Sequence, residues 1–555
     1  MSDPAPTVSR RTEALALTGA VALFVLLASL RARNHPVPFY DDVAYLDLSA
    51  RIRESGGLSA LIDGLFRGSW PEDNRNPLYL ALLSVFAGRD PAFHVRAQVL
   101  GVALGAAALV ASWWCARRLF GARTAIAIAV LLAASETLVA WSSREACEPL
   151  LLVFAALAFE RLLRDGPSVR ALFLGGLFAG FAQLTKGTGI FIAVAACAAI
   201  CCEGLRDRAQ PASARFVSAA SRVACVLAGL VLGGLPLFVR NVRRFHSPLH
   251  NINDRFLWID PLDDFSEIFA PGALARLDRG PLAYLHALTP GKAALRLGRG
   301  LGETLVHLGD SLSLVSPHPF GPVHIGWLAL GILAAALSVR LVVKWPPGFQ
   351  RTFFLAHAAL MFAFFVFYNA VSGSSRYLMP LALALLFPLG RELASRREWQ
   401  KRVAFAITLA VLVATVGAPD EHLAPPGFLA TFDAIRARVG PGEAFAVDSR
   451  SRFQPYWAMD PRVRMEIVST SWAGKLLPSS EQLAELRARG VRFVVLDGTS
   501  RKDEEARWFF ANELPLLADG SLPLAPLPAG LHIAWADPGT PRRFLLLELG
   551  EPTAQ

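Results

Sequence analysis

Two adjacent carboxylates, Asp41 and Asp42, follow the first long apolar run of the chain, within residues 39–45. They place strong negative charge at the end of a membrane segment, where ionisable groups are costly and usually functional. Acidic residues before a helix also favour its N-terminus, and residues 43–53 are typical of a short amphipathic helix. The pair therefore indicates either chemistry at the membrane face or a helix cap.

Further polar and charged residues stand at the ends of apolar runs on the same predicted side. The clearest is Lys186, because residues 183–189 form a tight turn between two apolar runs, where a cation could meet a phosphate group. It could equally be a lysine whose stem lies along a helix end with its ammonium in water, and Arg240 and Arg376 could be interfacial anchors. Carboxylates and cations at this face could share one cavity. The full set is Asp41, Asp42, Arg144, Glu145, Glu148, Lys186, Arg240, Asn241 and Arg376.

The composition is that of an integral membrane protein. Of 555 residues, 54% are hydrophobic and 18% are charged, and the mean hydropathy is +0.41. The net charge of +10 comes mostly from arginines in short loops between apolar runs, which is the expected pattern for positively charged cytoplasmic loops. Nucleic acid is therefore not the predicted partner; the lipid bilayer is.

Eleven apolar runs are predicted to cross the membrane, although several are shorter than the roughly 20 residues that a span normally needs. Arginine and lysine cluster in alternate loops, which places those loops and the N-terminus in the cytoplasm of a multi-pass protein of the inner (plasma) membrane. The loops at 34–93 and 240–322 are then external, like the acidic pair. The runs are 14–30, 95–116, 125–140, 149–163, 171–184, 189–202, 223–239, 323–343, 352–370, 377–389 and 403–416.

The composition changes after Gly417, where prolines at 419, 425 and 426 indicate a linker. Short β-like runs beyond it alternate with helical stretches. We therefore predict a mainly α polytopic membrane helix bundle at 1–418 and an external (periplasmic) soluble α/β domain at 419–555. The predicted strands are 444–447, 492–496, 532–536 and 543–547, and the predicted helices are 428–438, 480–489 and 502–516.

Six short motifs occur in an order that resembles the GT-C glycosyltransferases, which use polyprenyl-phosphate sugars, and most closely the family 39 protein mannosyltransferases and aminoarabinose transferases. Asp42 stands where this family usually has Glu, Glu148 stands where it has Asp, and Asn76 replaces one proline of a Pro-Pro-Leu-Tyr segment. The segment after residue 418 matches no part of the family pattern. The motifs are residues 40–45, 76–79, 143–148, 184–189, 236–241 and 376–380.

The resemblance implies a GT-C fold and transfer of a sugar, with inversion, from a polyprenyl-phosphate carrier to a protein, lipid or glycan acceptor on the external face. Asp41 would be the general base, with Asp42 and Glu148 as its supports or as metal ligands. Lys186, Arg240 and Arg376 would bind the lipid phosphate. Arg144, Asn241, Tyr377 and Tyr45 complete the predicted substrate site.

No cofactor is required by the sequence, and a divalent metal is possible. The external histidines could ligate zinc or manganese together with the acids, although only His246 and His250 have a plausible spacing. These histidines are His35, His94, His246, His250 and His318.

Two other classes of protein fit the spans and the buried charges. A transporter or lipid flippase is one, although the chain has no Walker-type nucleotide motif and no two similar halves. A relative that binds a polyprenyl lipid without turnover is the other. Asp41 and Lys186 together favour the enzyme.

Overall fold

The structure is a computed structural model that describes residues 8–35, 38, 41–88, 91–164, 166–206, 211–260, 280–314, 322–395, 427–448, 463–468, 471–472, 475–476, 478–497, 514, 517 and 521–550. Up to residue 395 the regular elements in these ranges are helices, apart from one β-bridge between Ser135 and Leu314. The strands follow residue 443. The mainly α fold class is therefore confirmed. The predicted span 403–416 and the candidate ligand His318 lie outside the described residues.

Sixteen α-helices occur in the described part of the chain before residue 396. Three short 3-10 helices, Gly187–Gly189, Ile252–Trp258 and Ser375–Leu378, lie between them. The α-helices are α1 (Arg10–Arg33), α2 (Asp41–Glu54), α3 (Gly57–Arg67), α4 (Pro77–Ser84), α5 (Pro91–Phe120), α6 (Ala122–Ala133), α7 (Glu136–Ser142), α8 (Glu148–Leu162), α9 (Val169–Thr185), α10 (Ile190–Arg206), α11 (Ala212–Phe245), α12 (Gly280–Ala287), α13 (Pro290–Ser311), α14 (Pro322–Val343), α15 (Phe349–Tyr368) and α16 (Met379–Ser395).

Six helical segments of the described chain are long and apolar enough to cross a membrane, which makes this a multi-pass membrane protein. Three shorter apolar helices, Ala122–Ala133, Val169–Thr185 and Leu328–Val343, coincide with further predicted spans. The total of eleven spans stays a prediction, as does the side on which each loop lies. The six long segments are Arg10–Arg33, Ala92–Phe120, Gly187–Arg206, Ala212–Phe245, Phe349–Tyr368 and Ser375–Ser395.

The predicted span at 125–140 is not one continuous helix, because the chain breaks there into α6 and α7. Ser135 caps α7 by accepting a hydrogen bond from the Leu138 amide at 3.4 Å, so its side chain starts a new helix. Glu136, the first residue of α7, forms a 3.0 Å ion pair with Arg31 at the end of α1. A polar pair of residues within an apolar run was therefore the local signal for a break.

Close packing of α9 against α11 depends on glycines at their interface. A Cβ atom on Gly180 would lie 2.8 Å from the Cα atom of Gly233, so the two backbones approach as only glycines permit. A large apolar core of buried residues from α1, α5, α6, α8, α9, α10, α15 and α16 surrounds this contact. The ends of α9 and α11 that carry site residues are thereby held in a fixed relation.

The helices α2, α3 and α4 pack together into a small core beside the main bundle. Tyr79, Leu80 and Leu83 of α4 are fully buried, and the Tyr79 ring meets the Tyr45 ring of α2 edge-on at a centroid distance of 5.1 Å. The predicted helix at 43–53 is thus present but begins two residues earlier, at Asp41. Asp41 and Asp42 form its first turn.

The last part of the chain contains a five-stranded sheet of order β2-β1-β5-β7-β6 and a two-stranded ribbon, β3 with β4. Strand β1 runs parallel to β2 and β5, whereas β7 runs antiparallel to β5 and β6. The four predicted strands are present within two residues of their predicted ends, whereas β2, β3 and β4 were missed. The elements are α17 (Phe428–Arg438), β1 (Ala444–Asp448), β2 (Arg464–Val468), β3 (Ser471–Trp472), β4 (Lys475–Leu476), α18 (Ser479–Ala488), β5 (Val491–Asp497), β6 (Leu531–Ala536) and β7 (Phe544–Leu549).

Of the predicted helix 502–516 the structure describes only Leu514. The sheet is an observation; its identity as a separate external α/β domain at 419–555 stays a prediction.

Candidate active site

The two aspartates of α2 point to different surroundings, because successive residues on a helix are about 100° apart. The Asp41 side chain is 36% exposed and lines a cavity, whereas that of Asp42 is 5% exposed and lies outside the cavity lining. Helix α4 and the loop before α8 hold this turn in place. The pair therefore does not act as one bidentate group.

Asp41 accepts one arginine on each carboxylate oxygen. Arg75 Nη2 donates to Oδ1 at 2.7 Å, and Arg376 Nη2 donates to Oδ2 at 2.5 Å. Burial raises the pKa of the Asp41 carboxyl, but the Arg376 and Arg75 guanidiniums lower it by more, to about 2. Asp41 is consequently ionised and hydrogen-bonded throughout the neutral range.

Asp42 forms a buried ion pair with Arg144. Both Nε and Nη2 of Arg144 donate to Asp42 Oδ2, at 3.2 and 2.9 Å, and the guanidinium lies 5.3 Å from the centre of the Trp141 ring. This pair ties the start of α2 to the loop that precedes α8. Asp42 and Arg144 thus lie behind the cavity wall and position it.

Glu148 begins α8 and is 1% exposed, with Lys186 and Arg376 on its outer side. Lys186 Nζ donates to Glu148 Oε1, and Arg376 Nε lies 3.7 Å from the same oxygen. Lys186 ends α9, and its Nζ lies 4.6 Å from the centre of the Tyr377 ring. Glu148 is therefore a buried counter-ion for two cations that line the cavity.

The contacts connect these side chains into a row of alternating charge, which we call the charge row: Arg75, Asp41, Arg376, Glu148 and Lys186. It carries three cations and two carboxylates, which leaves one excess positive charge. The buried Nε of Arg376 and the buried Oε2 of Glu148 have no hydrogen-bond partner within the described residues. The row therefore has one donor and one acceptor left for a further polar ligand.

The cavity beside the charge row has a volume of about 630 Å³. Its polar end is formed by the row and by asparagines of the segment before α4. The opposite walls are mostly apolar and aromatic, which suits a ligand with one charged and one hydrocarbon part. The phenylalanine, tyrosine and tryptophan residues that line it are Tyr45, Phe191, Phe256, Trp258, Phe364, Phe365, Tyr368 and Tyr377.

Two segments, residues 72–76 and 248–258, are hydrogen-bonded to each other across this cavity. We call them the external segments, after the side of the membrane that is predicted for them. The side-chain Nδ2 of Asn253 donates to Asn74 Oδ1 at 2.7 Å, and the side-chain Nδ2 of Asn251 donates to the backbone carbonyl of Asn74 at 3.2 Å. The backbone of Ile252 donates to the carbonyl of Asp73 at 3.1 Å. Arg75 is thereby presented to Asp41 from a fixed loop.

Arg240 and Asn241, which were predicted to bind the donor, lie outside the cavity lining. Arg240 is 1% exposed and donates to the carbonyl of Glu72, and the Asn241 amide donates to the carbonyls of Pro248 and His250 at 3.1 and 3.0 Å. Both side chains therefore hold the two external segments in position. Neither residue is placed to contact a phosphate bound in the cavity.

Tyr45 and Cys147 close the cavity below Asp41, where the Tyr45 hydroxyl donates to Cys147 Sγ at 3.2 Å. The structure thus brings Asp41, Lys186, Arg376, Tyr377 and Tyr45 to one cavity, with Glu148 directly behind it. Sequence reasoning missed Arg75, Asn74 and Asn76. The available signal was the position of Arg75 directly before the motif at 76–79. Its loop is predicted to be external, and the tendency of positive residues to lie in cytoplasmic loops does not explain an arginine there.

Within the described ranges, no group of three or more His, Cys, Asp and Glu side chains is arranged to hold a metal ion. The carboxylates of Asp41, Asp42 and Glu148 each face a cation, so they do not form a common ligand set in this arrangement. His94 pairs with Glu145 at 2.6 Å, and His250 stacks on Phe245 at a centroid distance of 3.9 Å. These residues therefore do not fit the metal site that the resemblance allows.

The sequence matches one known protein family over part of its length. The family described as dolichyl-phosphate-mannose-protein mannosyltransferase matches residues 82–231. The matched range contains two of the six motifs, 143–148 and 184–189, and it confirms the resemblance that the motifs predicted. The sequence has no significant match among curated proteins.

Among solved structures, the chain is similar to an oligosaccharyltransferase of Archaeoglobus fulgidus in complex with zinc and sulfate. The identity is 15%, the TM-score is 0.49, and the alignment covers 87% of this chain and 68% of the other. It is also similar to ArnT from Cupriavidus metallidurans bound to undecaprenyl phosphate. There the identity is 16%, the TM-score is 0.44, and the coverage is 97% of this chain and 100% of the other.

Proposed function

We propose that this chain is a membrane glycosyltransferase that moves a sugar, with inversion, from a polyprenyl-phosphate carrier to an acceptor hydroxyl on the external face. The observation that carries the proposal is the charge row at one end of a largely aromatic cavity. A polyprenyl-phosphate sugar needs cations for its phosphate and an apolar wall for its first isoprene units. The matched family is described by a dolichyl-phosphate sugar, a donor of the same chemical class.

In the proposed reaction, Asp41 accepts the proton of the acceptor hydroxyl as its oxygen attacks the anomeric carbon. The bond between that carbon and the phosphate oxygen breaks, and its electron pair leaves with the lipid phosphate. Arg75, Arg376 and Lys186 stabilise the charge that develops on the phosphate. Direct displacement of this kind inverts the configuration at the anomeric carbon.

The ligand-free pairing of Asp41 suggests how the base is activated. A carboxylate with a pKa of about 2 is a weak base, because two arginines stabilise its ionised form. A donor phosphate that draws Arg75 and Arg376 toward itself would remove part of this stabilisation, and the pKa of Asp41 would rise. The carboxylate would thus become a better base only when donor is bound.

The remaining predicted site residues have supporting roles in this proposal. Glu148 orients Lys186 and Arg376 from behind the cavity, and the Asp42–Arg144 ion pair fixes the first turn of α2. Arg240 and Asn241 hold the external segments. We further propose that the cavity faces the external side of the inner membrane, together with residues 419–555, since the positive loops indicate that orientation.

The transporter or flippase and the non-catalytic lipid binder are the competing functions. Both would bind the carrier in this cavity but would leave the bond between sugar and phosphate intact. The Asp41 carboxylate favours the enzyme, because it lies in the cavity and next to the cations that would hold the phosphate. The fate of the glycosidic bond therefore separates the three functions.

The test uses purified full-length protein incubated with polyprenyl phosphates that carry radiolabelled hexoses or pentoses, together with a heat-treated membrane extract that supplies protein, lipid and glycan acceptors. Thin-layer chromatography measures the labelled donor that remains and the free polyprenyl phosphate that forms. The enzyme is expected to release polyprenyl phosphate in time-dependent amounts. Tight donor binding without any release, across the whole panel of sugars, would contradict the enzyme and support the lipid-binding alternatives.

A further inference from the structure

A second charged cavity, with a volume of about 450 Å³, lies at the other end of helix α10. Ile190, the first residue of α10, lines the candidate active site, whereas Arg206, its last residue, lines this second cavity. Seventeen helical residues separate the two ends by about 25 Å. The second cavity is thus at the predicted cytoplasmic face and plays no part in the proposed transfer.

Three guanidiniums converge on this cavity, against one carboxylate. Arg222 Nη1 lies 3.3 Å from Glu203 Oε2, which leaves Arg206 and Arg215 without a carboxylate among its lining residues. Arg206 donates to Thr352 Oγ1 at 3.2 Å, and Arg215 donates to the Leu205 carbonyl at 3.3 Å. The described lining therefore has an excess of two positive charges, held in place by neutral hydrogen bonds.

A helix N-terminus adds to the positive potential. Gly348, the residue before α15, lines the cavity and has no side chain to cover the first free amides of that helix. The guanidinium of Arg222 lies 6.0 Å from the centre of the Phe349 ring, the first residue of α15. The buried Nε of Arg215 has no hydrogen-bond partner within the described residues. An anion with several acceptor oxygens would satisfy these donors together.

We propose that this cavity is a phosphate-binding site, occupied by the headgroup of an anionic phospholipid or by free phosphate. The residues that bind it are Arg206, Arg215 and Arg222, with the N-terminus of α15. Basic pockets between membrane helices on the cytoplasmic side recognise lipid phosphates through this chemistry. The fork of one arginine side chain fits two oxygens of an anion, so three guanidiniums suit the several oxygens of a phosphate better than a halide.

The site connects the two ends of the bundle, because the same three helices line both cavities. Ile190 of α10, Leu237 of α11 and Phe364 of α15 line the candidate active site. Arg206 of α10, Arg222 of α11 and Gly348 next to α15 line the phosphate site. A phosphate bound there would hold together the helices that form the apolar wall of the other cavity.

The experiment measures binding of short-chain phosphatidylglycerol, phosphatidylcholine and inorganic phosphate to the detergent-purified full-length protein by native mass spectrometry. Phosphatidylglycerol is expected to bind more tightly than phosphatidylcholine, and the double variant Arg215→Gln with Arg222→Gln is expected to bind it at least about 10-fold more weakly, since two charged hydrogen bonds are lost. Arg340→Gln, which removes an exposed arginine at the end of α14, is the matched control and should bind like the wild type. Displacement of the lipid by inorganic phosphate would identify free phosphate as an equivalent ligand, whereas resistance to it would identify the lipid as the source.

Wild-type affinity of the double variant for both phosphatidylglycerol and inorganic phosphate would overturn the proposal. So would phosphate binding that is lost in Lys186→Ala but kept in the double variant, because the candidate active site would then be the only anion site detected. If the double variant does not fold, Arg222→Gln alone is compared with Arg215→Lys plus Arg222→Lys, which keeps both positive charges. Arg222→Gln is then expected to bind phosphatidylglycerol more weakly than the wild type and than the lysine variant. The variants at Arg215 and Arg222 leave the charge row unchanged, and Lys186→Ala serves only to separate the two anion sites, so the outcome at the phosphate site is independent of the proposed transfer.

Discussion

The surroundings of Asp41 and of Asp42 differ although the two residues are neighbours on one helical turn. Asp41 faces a cavity and pairs with two arginines that line the same cavity. Asp42 is buried behind the cavity wall, where it pairs with Arg144. A charge that is to act on substrate must keep contact with the cavity, and a charge that is to hold the fold must be fully paired. This comparison predicts chemical function for Asp41 and structural support for Asp42, although the two side chains are identical.

The largest effect expected from this comparison is the loss of stability in Asp42→Asn. The substitution leaves Arg144 in a buried place without its carboxylate, and breaking a buried ion pair from one side costs about 3 to 5 kcal/mol. Thermal unfolding in detergent should show a clearly lower midpoint for Asp42→Asn. Asp63→Asn, at an exposed ion pair of α3, is the control that should unfold like the wild type.

The double variant Asp42→Asn with Arg144→Gln sharpens the same point. If the pair acts as a unit, the double variant should be less destabilised than the sum of the two single variants. Equal midpoints for Asp42→Asn and Asp63→Asn would show instead that Asp42 is no more structural than a surface aspartate.

The next effect concerns donor affinity and the arginine that sequence reasoning missed. Arg75→Gln removes one charged hydrogen bond to the phosphate, a loss of about 1.5 to 3 kcal/mol, or roughly 10- to 150-fold in the donor dissociation constant. Arg51→Gln on the exposed side of α2 should leave the constant unchanged. A dissociation constant for Arg75→Gln equal to that of Arg51→Gln would remove Arg75 from the phosphate site.

The position of Arg75 could not be obtained from local sequence. The motifs indicate which residues stand at the external ends of the helices, and Asp41, Lys186 and Arg376 meet as their positions suggest. Which loop folds back over them is decided by hydrogen bonds such as that between Asn74 and Asn253, which lie 179 residues apart. Apolar periodicity carries no information about such contacts.

Two further differences between the predicted and the observed fold have local causes. Ser135 ends α6 because its hydroxyl caps a new helix, an option that a count of apolar residues does not consider. Strand β2 was missed because Arg464 and Glu466 make it look polar, although it pairs along its whole length with β1. Patterns of hydrophobicity therefore found the long apolar helices and the apolar strands more readily than helix breaks and a strand with alternating charged residues.

The dependence of stability on pH is a smaller effect and concerns Asp41. The pKa of Asp41 in the folded protein is about 2, below the ordinary value of about 3.9 for an unfolded chain. Its contribution is therefore fully present above pH 4 and is lost as the pH falls from about 4 toward 2. Unfolding midpoints measured between pH 5 and pH 2.5 should fall less steeply for Asp41→Asn than for the wild type; identical slopes would contradict the depressed pKa.

The smallest expected effect is at the contact between the two external segments. Asn74→Ala removes a 2.7 Å hydrogen bond to Asn253, and a net contribution of about 0.5 to 1.5 kcal/mol is expected for such a bond. In a double-mutant cycle with Asn253→Ala, unfolding free energies should show a coupling of this size. A coupling of zero would mean that the segments are not held together by this contact.

The central claim, that Asp41 is the base of a glycosyl transfer, is tested most directly by measuring turnover and donor binding in parallel for Asp41→Asn. Asparagine cannot accept the proton, so release of polyprenyl phosphate should fall by roughly 100-fold or more. Donor binding should be kept or become tighter, because Arg75 and Arg376 no longer pair with the Asp41 carboxylate. Turnover equal to that of Asp63→Asn, with donor binding unchanged, would contradict the account.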